Sequence, residues 1–336
     1  MLKLRVERIQ QETADTRTFF LKELSGKKIG YQAGQFITLV FTHHGDEIRR
    51  SYSLSSSPHE KFLSITVKRI TNGEISRFLF TKVKPGDILE AVEPAGRFVL
   101  ANPEEKKDVI IFAAGSGITP VFSQLKNVVR VAGESNITLI YSSLDPSSII
   151  FKDALAKLES DHPDRLRVIH LLSSEAKRLN NYMAEQLIRR HTPNGLLKAD
   201  FYLCGPFEYM RMVRLTLLYM GIEPARIRKE NFVLDTVPVA SPGLNYPPKK
   251  IDITFNGERH HIIAGENQSI LQAALQNNIP LPYSCRAGVC SACAATCKGG
   301  KVEMARNDVL TDEDIAKGWI LTCTGYAVTD IEIVIT

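Results

Sequence analysis

Apolar and polar residues alternate in short runs near the start of the chain. Phe36–Phe41 and Leu63–Val67 are two of these runs, and turn-forming glycines separate them from their neighbours. Alternation with a period of two indicates strands that bury one face. Several short strands joined by tight turns predict an antiparallel β-barrel, which we expect over residues 1–101.

A different pattern begins at residue 107, where apolar runs alternate with helical stretches. The apolar runs lie at 108–114, 137–142, 166–172 and 200–204, and the helical stretches lie near 119–132, 150–160, 180–190 and 206–220. Strands separated by helices predict right-handed βαβ units and a doubly wound parallel sheet. An α/β domain is therefore expected over residues 107–235.

A proline-rich segment follows this domain. Residues 236–250 hold four prolines and show little periodicity. That composition is typical of a semi-stiff linker, with a packed strap as the alternative. The pattern places the linker at 236–248 and a third domain at 249–336, so the expected fold class is multidomain.

Composition and charge narrow the classes of protein that fit. No segment approaches about 18 uninterrupted apolar residues, and the N-terminus lacks the apolar core of a signal peptide, so we expect no membrane insertion and a cytoplasmic location. The net charge of +5 divides into −3 for residues 250–336 and +8 for the remainder. This asymmetry suits anionic cofactors on the basic part, or it is ordinary surface charge. No basic run carries interleaved aromatics, so nucleic-acid binding is not expected.

Four cysteines near the end of the chain carry the most specific signal. Cys285, Cys290, Cys293 and Cys323 follow the spacing C-x4-C-x2-C-x29-C, which is that of a plant-type [2Fe–2S] centre. A zinc site usually needs a second close pair, and the bacterial cluster run needs a shorter first gap and a proline. Cys297 falls outside the spacing and is expected to be a packing residue.

The segments around these cysteines resemble plant-type ferredoxin. The resemblance rests on Ser284–Cys293 and on Trp319–Tyr326. It implies an α+β domain with the β-grasp fold, in which the four cysteines are the cluster ligands.

A second candidate site lies in the predicted barrel. Arg50, Tyr52 and Leu54 alternate along one strand and so share a face. Such a face could hold a flavin, with Tyr52 against the ring, Arg50 on a phosphate and Ser53 near flavin N5. An amphipathic strand with a surface arginine is the alternative.

Three segments of the barrel together resemble the flavin domain of the ferredoxin-NADP reductase superfamily. They are Arg50-x-Tyr52-Ser53, Val67-Lys68-Arg69 and Gly73–Ser76. The resemblance implies that Gly73 and Ser76 open a helix whose amides receive the flavin pyrophosphate. It places residues 67–69 along the ribityl and adenine side, and it favours FAD over FMN.

The first strand of the α/β domain runs into a loop of small residues, Gly115–Pro120. Gly115 and Gly117 permit close approach of a ligand, and Pro120 suits the first turn of a helix, so the loop is either a phosphate site or an ordinary βα turn. It lacks the third glycine of the Rossmann fingerprint. The loop resembles the Gly-x-Gly-x-Thr-Pro loop of the same superfamily, which implies a nicotinamide-nucleotide site that includes Thr119.

The fourth strand ends at Cys204-Gly205-Pro206, at the edge where an open α/β sheet places its ligand crevice. Cys204 is either a buried apolar thiol or a residue beside the nicotinamide. The resemblance to the superfamily's Cys-Gly-Pro segment implies the second role, in which Cys204 orients C4 of the ring towards flavin N5. It also implies that Phe232 covers the flavin ring until the nicotinamide displaces it.

The segment after the second strand of this domain bears on the choice of nucleotide. It contains Ser142, Ser143 and Asp145 but no arginine to pair with a 2′-phosphate. Asp145 could accept a hydrogen bond from a ribose hydroxyl, which favours NADH. The two serines could also bind a phosphate, so NADPH stays open.

The three domains in this order resemble the reductase components of multicomponent bacterial oxygenases, among them the phenylacetyl-CoA epoxidase and ketosteroid hydroxylase reductases. The resemblance implies hydride transfer from NAD(P)H to FAD, then single electrons through the cluster to a separate acceptor, such as a terminal oxygenase. Alternatives are a reductase of a hybrid-cluster protein, a flavin reductase, and a redox sensor without turnover. The acceptor is expected to dock on the exposed side of the Arg286–Val289 loop.

Overall fold

The computed structural model describes residues 1–43, 46–101, 105–131, 135–232 and 246–335. The chain divides into two units, Met1–Glu230 and Asn231–Thr336. They are called the first and the second unit below.

The first unit begins with six antiparallel strands and one helix. These elements are β1 (Leu2–Thr13), β2 (Thr16–Glu23), β3 (Phe36–His43), β4 (Asp46–Ser53), β5 (Leu63–Lys68), α1 (Glu74–Thr81) and β6 (Ile88–Ala95). The strands lie in the order β4-β3-β6-β1-β2-β5. A bridge between Leu54 and Ile65 joins the two edge strands and closes the barrel around an apolar core.

The rest of the first unit alternates strands with helices. These elements are β7 (Asp108–Ala114), α2 (Ile118–Val128), β8 (Asn136–Ser143), α3 (Lys152–Asp161), β9 (Leu166–Leu172), α4 (Asn181–Arg190), β10 (Asp200–Cys204), α5 (Phe207–Tyr219) and β11 (Ile227–Glu230). The strands form a parallel sheet in the order β11-β10-β7-β8-β9. All seven residues of the central strand β7 are buried, because α2 and α3 cover one face of the sheet while α4 and α5 cover the other.

Helix α2 joins the barrel to the parallel sheet. Nine of its eleven residues are buried. The Ser123 hydroxyl donates to the carbonyl oxygen of Ser56, the Gln124 amide donates to that of Phe98, and Lys126 pairs with Glu60. The helix therefore packs on the parallel sheet and bonds to residues of the barrel.

The second unit is a mixed sheet with two short helices. Its elements are β12 (Lys249–Phe255), β13 (Glu258–Ala264), α6 (Ile270–Gln276), β14 (Ala294–Gly299), β15 (Val302–Met304), α7 (Asp312–Ala316), β16 (Trp319–Leu321), β17 (Gly325–Ala327) and β18 (Ile331–Ile335). Five strands lie in the order β13-β12-β18-β14-β16, and β15 pairs with β17. The first and last strands of this unit, β12 and β18, are parallel neighbours, and α6 packs on the sheet, as in a β-grasp domain.

The predicted fold class is confirmed for the barrel, the parallel sheet and the third domain. The bounds predicted for the domains stay predictions, and most of the predicted linker lies outside the described residues. Among the helices that the structure describes, none is long and apolar enough to span a membrane.

Candidate functional site

The predicted nucleotide segments meet at the carboxyl edge of the parallel sheet. Gly115 has a φ of 54° and starts a single 3₁₀ turn, which leads into α2. A Cβ atom on Gly117 would lie 2.1 Å from the carbonyl oxygen of Cys204, and one on Gly205 would lie 3.0 Å from Cβ of Ala114. Only glycine fits at 117, so the loop after β7 rests directly on the end of β10.

Side chains in the same loop shape its turn. The Thr119 hydroxyl donates to the carbonyl oxygen of Ser116 at 2.9 Å, and Thr119 and Pro120 are both buried in the first turn of α2. Pro206 stands just before α5, in extended backbone. These residues meet at the carboxyl ends of β7 and β10, the edge where an open α/β sheet places its ligand crevice.

Cys204 has a buried acid beside it that the sequence analysis missed. Cys204 and Glu230 occupy the same position of the β10–β11 ladder, and both are buried. Burial raises the pKa of the Cys204 thiol well above its usual value, and Glu230 adds to that rise. Burial also raises the pKa of Glu230 to about 8. Both groups are therefore mainly protonated at neutral pH. The available signal was an acid at the carboxyl end of the last parallel strand.

The predicted flavin strand is β4. Arg50 and Tyr52 lie opposite Leu39 and Ile37 of β3. Tyr52 packs against the barrel core, and burial raises the pKa of its phenol. Ser53 is 6% exposed. The Arg50 guanidinium donates to its neighbour's carbonyl at 2.8 Å.

The predicted pyrophosphate turn opens α1. Gly73 precedes the helix, and no side chain caps the helix there. A Cβ atom on Gly73 would lie 2.5 Å from the Ser76 hydroxyl, which donates to Gly73 and accepts from the Ile70 amide, both at 3.2 Å. Ser76 thus shapes the turn, and the helix amides are the groups that suit a phosphate.

The three residues between β4 and α1 that were predicted to line the flavin differ in their surroundings. The Val67 side chain is in the barrel core, so only its backbone can face a ligand. Lys68 pairs with Asp15 at 3.5 Å, and the Arg69 guanidinium lies 5.0 Å from the centre of the Phe80 ring. An aromatic residue and two cations beside an uncapped helix fit an anionic flavin dinucleotide.

The four predicted cluster cysteines come together in the second unit. The Cys285 thiol interacts with those of Cys290 and Cys323, and the Cys293 thiol interacts with that of Cys323. These interactions lower the pKa of Cys285. The Ala287 amide also donates to the Cys285 sulfur at 3.3 Å. Four interacting thiols, one of which accepts a backbone N–H group, fit a [2Fe–2S] cluster.

The interpretation of the four cysteines as a cluster site rests on these contacts between thiols. In the described ranges, no three His, Cys, Asp or Glu side chains are arranged to hold a single metal ion. Cys297 lies in β14, where its thiol donates to the carbonyl oxygen of Gly299 at 3.2 Å.

The loop that carries three of the cysteines is folded tightly. Arg286, Gly288 and Ser291 have φ values of 54°, 73° and 53°. A Cβ atom on Gly288 would lie 2.6 Å from the carbonyl oxygen of Arg306. That carbonyl accepts from the Thr324 hydroxyl at 2.8 Å, one residue after Cys323. The loop is therefore held against the segment that supplies the fourth ligand.

Phe232 is 41% exposed and belongs to the second unit. Its contact with the flavin stays a prediction, as do the ligand roles of the other named residues.

Comparisons with known proteins cover all three parts of the chain. An oxidoreductase FAD-binding domain matches residues 3–100, an oxidoreductase NAD-binding domain matches 111–215, and a 2Fe-2S iron-sulfur cluster binding domain matches 253–328. The ferredoxin reductase component of 3-ketosteroid-9-alpha-monooxygenase from Rhodococcus rhodochrous is 35% identical, over 97% of this chain and 94% of that protein. The chain belongs to this family of oxygenase-system reductases.

Two further relatives support membership of the reductase family. One subunit of the 1,2-phenylacetyl-CoA epoxidase from Escherichia coli is 30% identical, over 97% of this chain and 95% of that protein. The solved structure of phthalate dioxygenase reductase is 25% identical, with a TM-score of 0.61, over 99% of this chain and 96% of that chain. The predicted cofactors FAD, nicotinamide nucleotide and [2Fe–2S] are confirmed at the level of domains, as is the oxidoreductase activity.

Replacing Cys323 by Ala should remove most of the cluster iron and its visible absorption, because one of the four sulfurs is lost. Replacing Cys297 by Ala is the matched control and should leave both unchanged. Iron content and absorption spectra of the purified proteins measure this. Equal iron loss in both variants would contradict the ligand assignment.

Replacing Glu230 by Gln should change how stability depends on pH. Burial raises the pKa of Glu230 from 4.5 to about 8, so its protonated form favours folding. That stability is complete below about pH 4.5 and is lost as the pH rises through about 8. Across this window, the free energy of unfolding of the variant should rise relative to that of the wild type by about 1.4 kcal/mol per pH unit. Thermal unfolding from pH 5 to 9 tests it, with Glu208→Gln as an exposed control. Parallel curves for wild type and E230Q would show that Glu230 does not titrate in this way.

Proposed function

We propose that this chain oxidises NADH and passes the electrons singly to an oxygenase component. The observation that carries the proposal is the four-sulfur group in the second unit of a chain whose first unit has FAD- and NAD-binding domains. When bound, FAD supplies the step between two-electron hydride chemistry and one-electron transfer, and the cluster carries single electrons.

The residues of the first unit hold the nucleotide and the flavin in place. Gly115 keeps a side chain out of the open space proposed for the nucleotide phosphates, and Gly117 lets the loop rest on the end of β10. Thr119, Cys204, Gly205 and Pro206 line the nicotinamide end of the crevice. Tyr52, Arg50 and Ser53 form the flavin face. Cys204 and Glu230 keep the floor of the crevice uncharged, since burial raises the pKa of both groups.

The loop after β8 supports NADH as the donor. Asp145 accepts hydrogen bonds from the amides of Ser147 and Ser148 at 2.8 and 3.0 Å. A further hydrogen bond from the Ser147 hydroxyl lowers the pKa of Asp145, so the carboxylate is charged at neutral pH. A fixed negative charge at this position attracts ribose hydroxyls and repels a 2′-phosphate.

The acceptor is proposed from the relatives, whose names describe components of oxygenase systems. Arg286 is the exposed residue of the Arg286–Val289 loop, and its guanidinium lies 4.2 Å from the centre of the Tyr283 ring. Ala287 and Val289 are buried, so the proposed docking surface is centred on Arg286. The cytoplasm, a compartment that keeps thiols reduced, is the proposed location.

Purified holoprotein should reduce ferricyanide and cytochrome c with NADH, and more slowly with NADPH. An oxygenase component is then captured from cell extract under reducing conditions and added to the holoprotein. The holoprotein should consume NADH in proportion to the product that the oxygenase forms. Absence of any reduction with either nucleotide would overturn the reductase proposal. Reduction of small acceptors without any reduction of an oxygenase component would leave a reductase with another acceptor, such as a hybrid-cluster protein.

Replacing Asp145 by Asn should lower the preference for NADH several-fold, because Asn keeps the hydrogen-bond acceptor of the turn but removes the charge. The ratio of kcat/KM for NADH to that for NADPH is the measurement. Asp153→Asn, at the first turn of α3, is the matched control and should not change the ratio. An unchanged ratio in D145N would show that another group selects the nucleotide.

A further inference from the structure

One buried hydroxyl links the two nucleotide loops of the first unit. Tyr141 lies near the end of β8 and is 0% exposed. Its hydroxyl donates to the carbonyl oxygen of Gly115 at 3.1 Å and accepts from the Ile150 amide at 3.3 Å. The two partners follow different strands, Gly115 after β7 and Ile150 after β8.

The Gly115 end of this link belongs to the proposed diphosphate loop. Gly115 has a φ of 54°, and its carbonyl oxygen also accepts from the Ile118 amide at the start of α2. The hydroxyl and the helix therefore share one carbonyl at the first residue of the turn. The orientation of this peptide sets the direction in which the following amides point.

The Ile150 end closes the loop that carries Asp145. This loop leaves β8 at Leu144, turns at Pro146–Ser148 and returns to Tyr141 at Ile150. The next residue, Phe151, has a φ of 61°, and its ring stacks on Phe122 of α2 at 4.2 Å between ring centres. The far end of the loop is thus held by Tyr141 and by α2 together.

The chemistry of the hydroxyl suits this double role. Burial raises the pKa of the Tyr141 phenol, so it stays neutral and can donate and accept at once. The ring lies within the apolar cluster between the sheet and α2. A phenylalanine at this position would keep the packing but leave the Ile150 amide without that acceptor in a dry interior.

We propose that Tyr141 is a positioning residue for the nicotinamide nucleotide, whose hydroxyl couples the diphosphate loop at Gly115 to the ribose loop at Asp145. The inference rests on the proposed function, because it assigns both loops to one nucleotide. Tyr141 acts through the backbone of the loops and does not touch the reacting atoms.

The test compares Tyr141→Phe with Tyr202→Phe. Tyr202 is 1% exposed, lies in β10 of the same sheet and accepts from the Ala101 amide at 2.9 Å, so its variant also loses a buried hydroxyl. Ferricyanide reduction gives KM and kcat for NADH and NADPH, and thermal unfolding and flavin content are measured in parallel. Y141F should raise the KM for NADH five- to twentyfold, with kcat within twofold of wild type and a reduced preference for NADH. Y202F should lower thermal stability and leave KM within twofold.

A KM for NADH within twofold of wild type in folded, flavin-loaded Y141F would overturn the inference and leave Tyr141 a packing residue. If the wild type oxidises neither nucleotide, the proposed function fails instead, so the two failures are distinguishable.

Amide hydrogen exchange of the wild type, measured with and without NAD⁺, is a second test that needs no variant. NAD⁺ should protect the peptides that span residues 115–118 and 144–151 together. Protection of the first peptide without the second would also overturn the coupling.

Discussion

The burial of helix α2 between the barrel and the parallel sheet is the constraint on which the first unit depends. Its apolar side chains pack on the sheet, while Ser123, Gln124 and Lys126 bond to the barrel. Buried polar groups need partners, so a shift of the helix would break all three bonds and leave the buried Ser123 and Gln124 side chains without theirs. Residues 115–117 run directly into this helix, and the nucleotide loop inherits its position. Hydride transfer needs reacting atoms about 3–3.5 Å apart, and a fixed position of the loop helps to maintain such a distance.

A second consequence of close packing is the neutral floor of the crevice. Gly117 lets the loop approach the carbonyl oxygen of Cys204, and Cys204 at the end of β10 is fully buried. Cys204 and Glu230 then share one ladder position without solvent to screen them. Two buried acids this close cannot both ionise at low cost, and burial raises the pKa of each. The crevice therefore avoids a buried unpaired charge, at the cost of keeping a carboxylic acid protonated near neutral pH.

How far the sequence predicts this site depends on whether the signal is local. Three of the four cluster cysteines lie within nine residues, so their spacing located them, whereas the Gly115–Pro120 loop was assigned to the nucleotide through its resemblance to the reductase superfamily. Tyr141 had no such signal. Both it and Tyr202 are aromatic residues in apolar strands, and only the packing of strands shows that one hydroxyl reaches Gly115 and Ile150. Glu230 was missed for a similar reason, since its burial follows from the register of β11 on β10. Val67 and Ser76 were predicted to line the flavin site, but the barrel core and the turn before α1 occupy their side chains.

The cluster loop obeys a different constraint from the nucleotide crevice. Arg286 and Ser291 are not glycines, yet both have positive φ values, a conformation that costs L-residues roughly 1–2 kcal/mol each. Such residues persist only where their surroundings determine the backbone. Here the close approach of Gly288 to the carbonyl oxygen of Arg306 fixes part of the loop backbone. The same carbonyl accepts from the Thr324 hydroxyl, one residue after Cys323. Ligation of the proposed cluster by the four sulfurs would fix the rest, because binding energy at a site of this kind is also folding energy. On this proposal the backbone of the cluster loop would depend partly on its bound cluster, whereas the nucleotide loop is held by the packing of the protein itself.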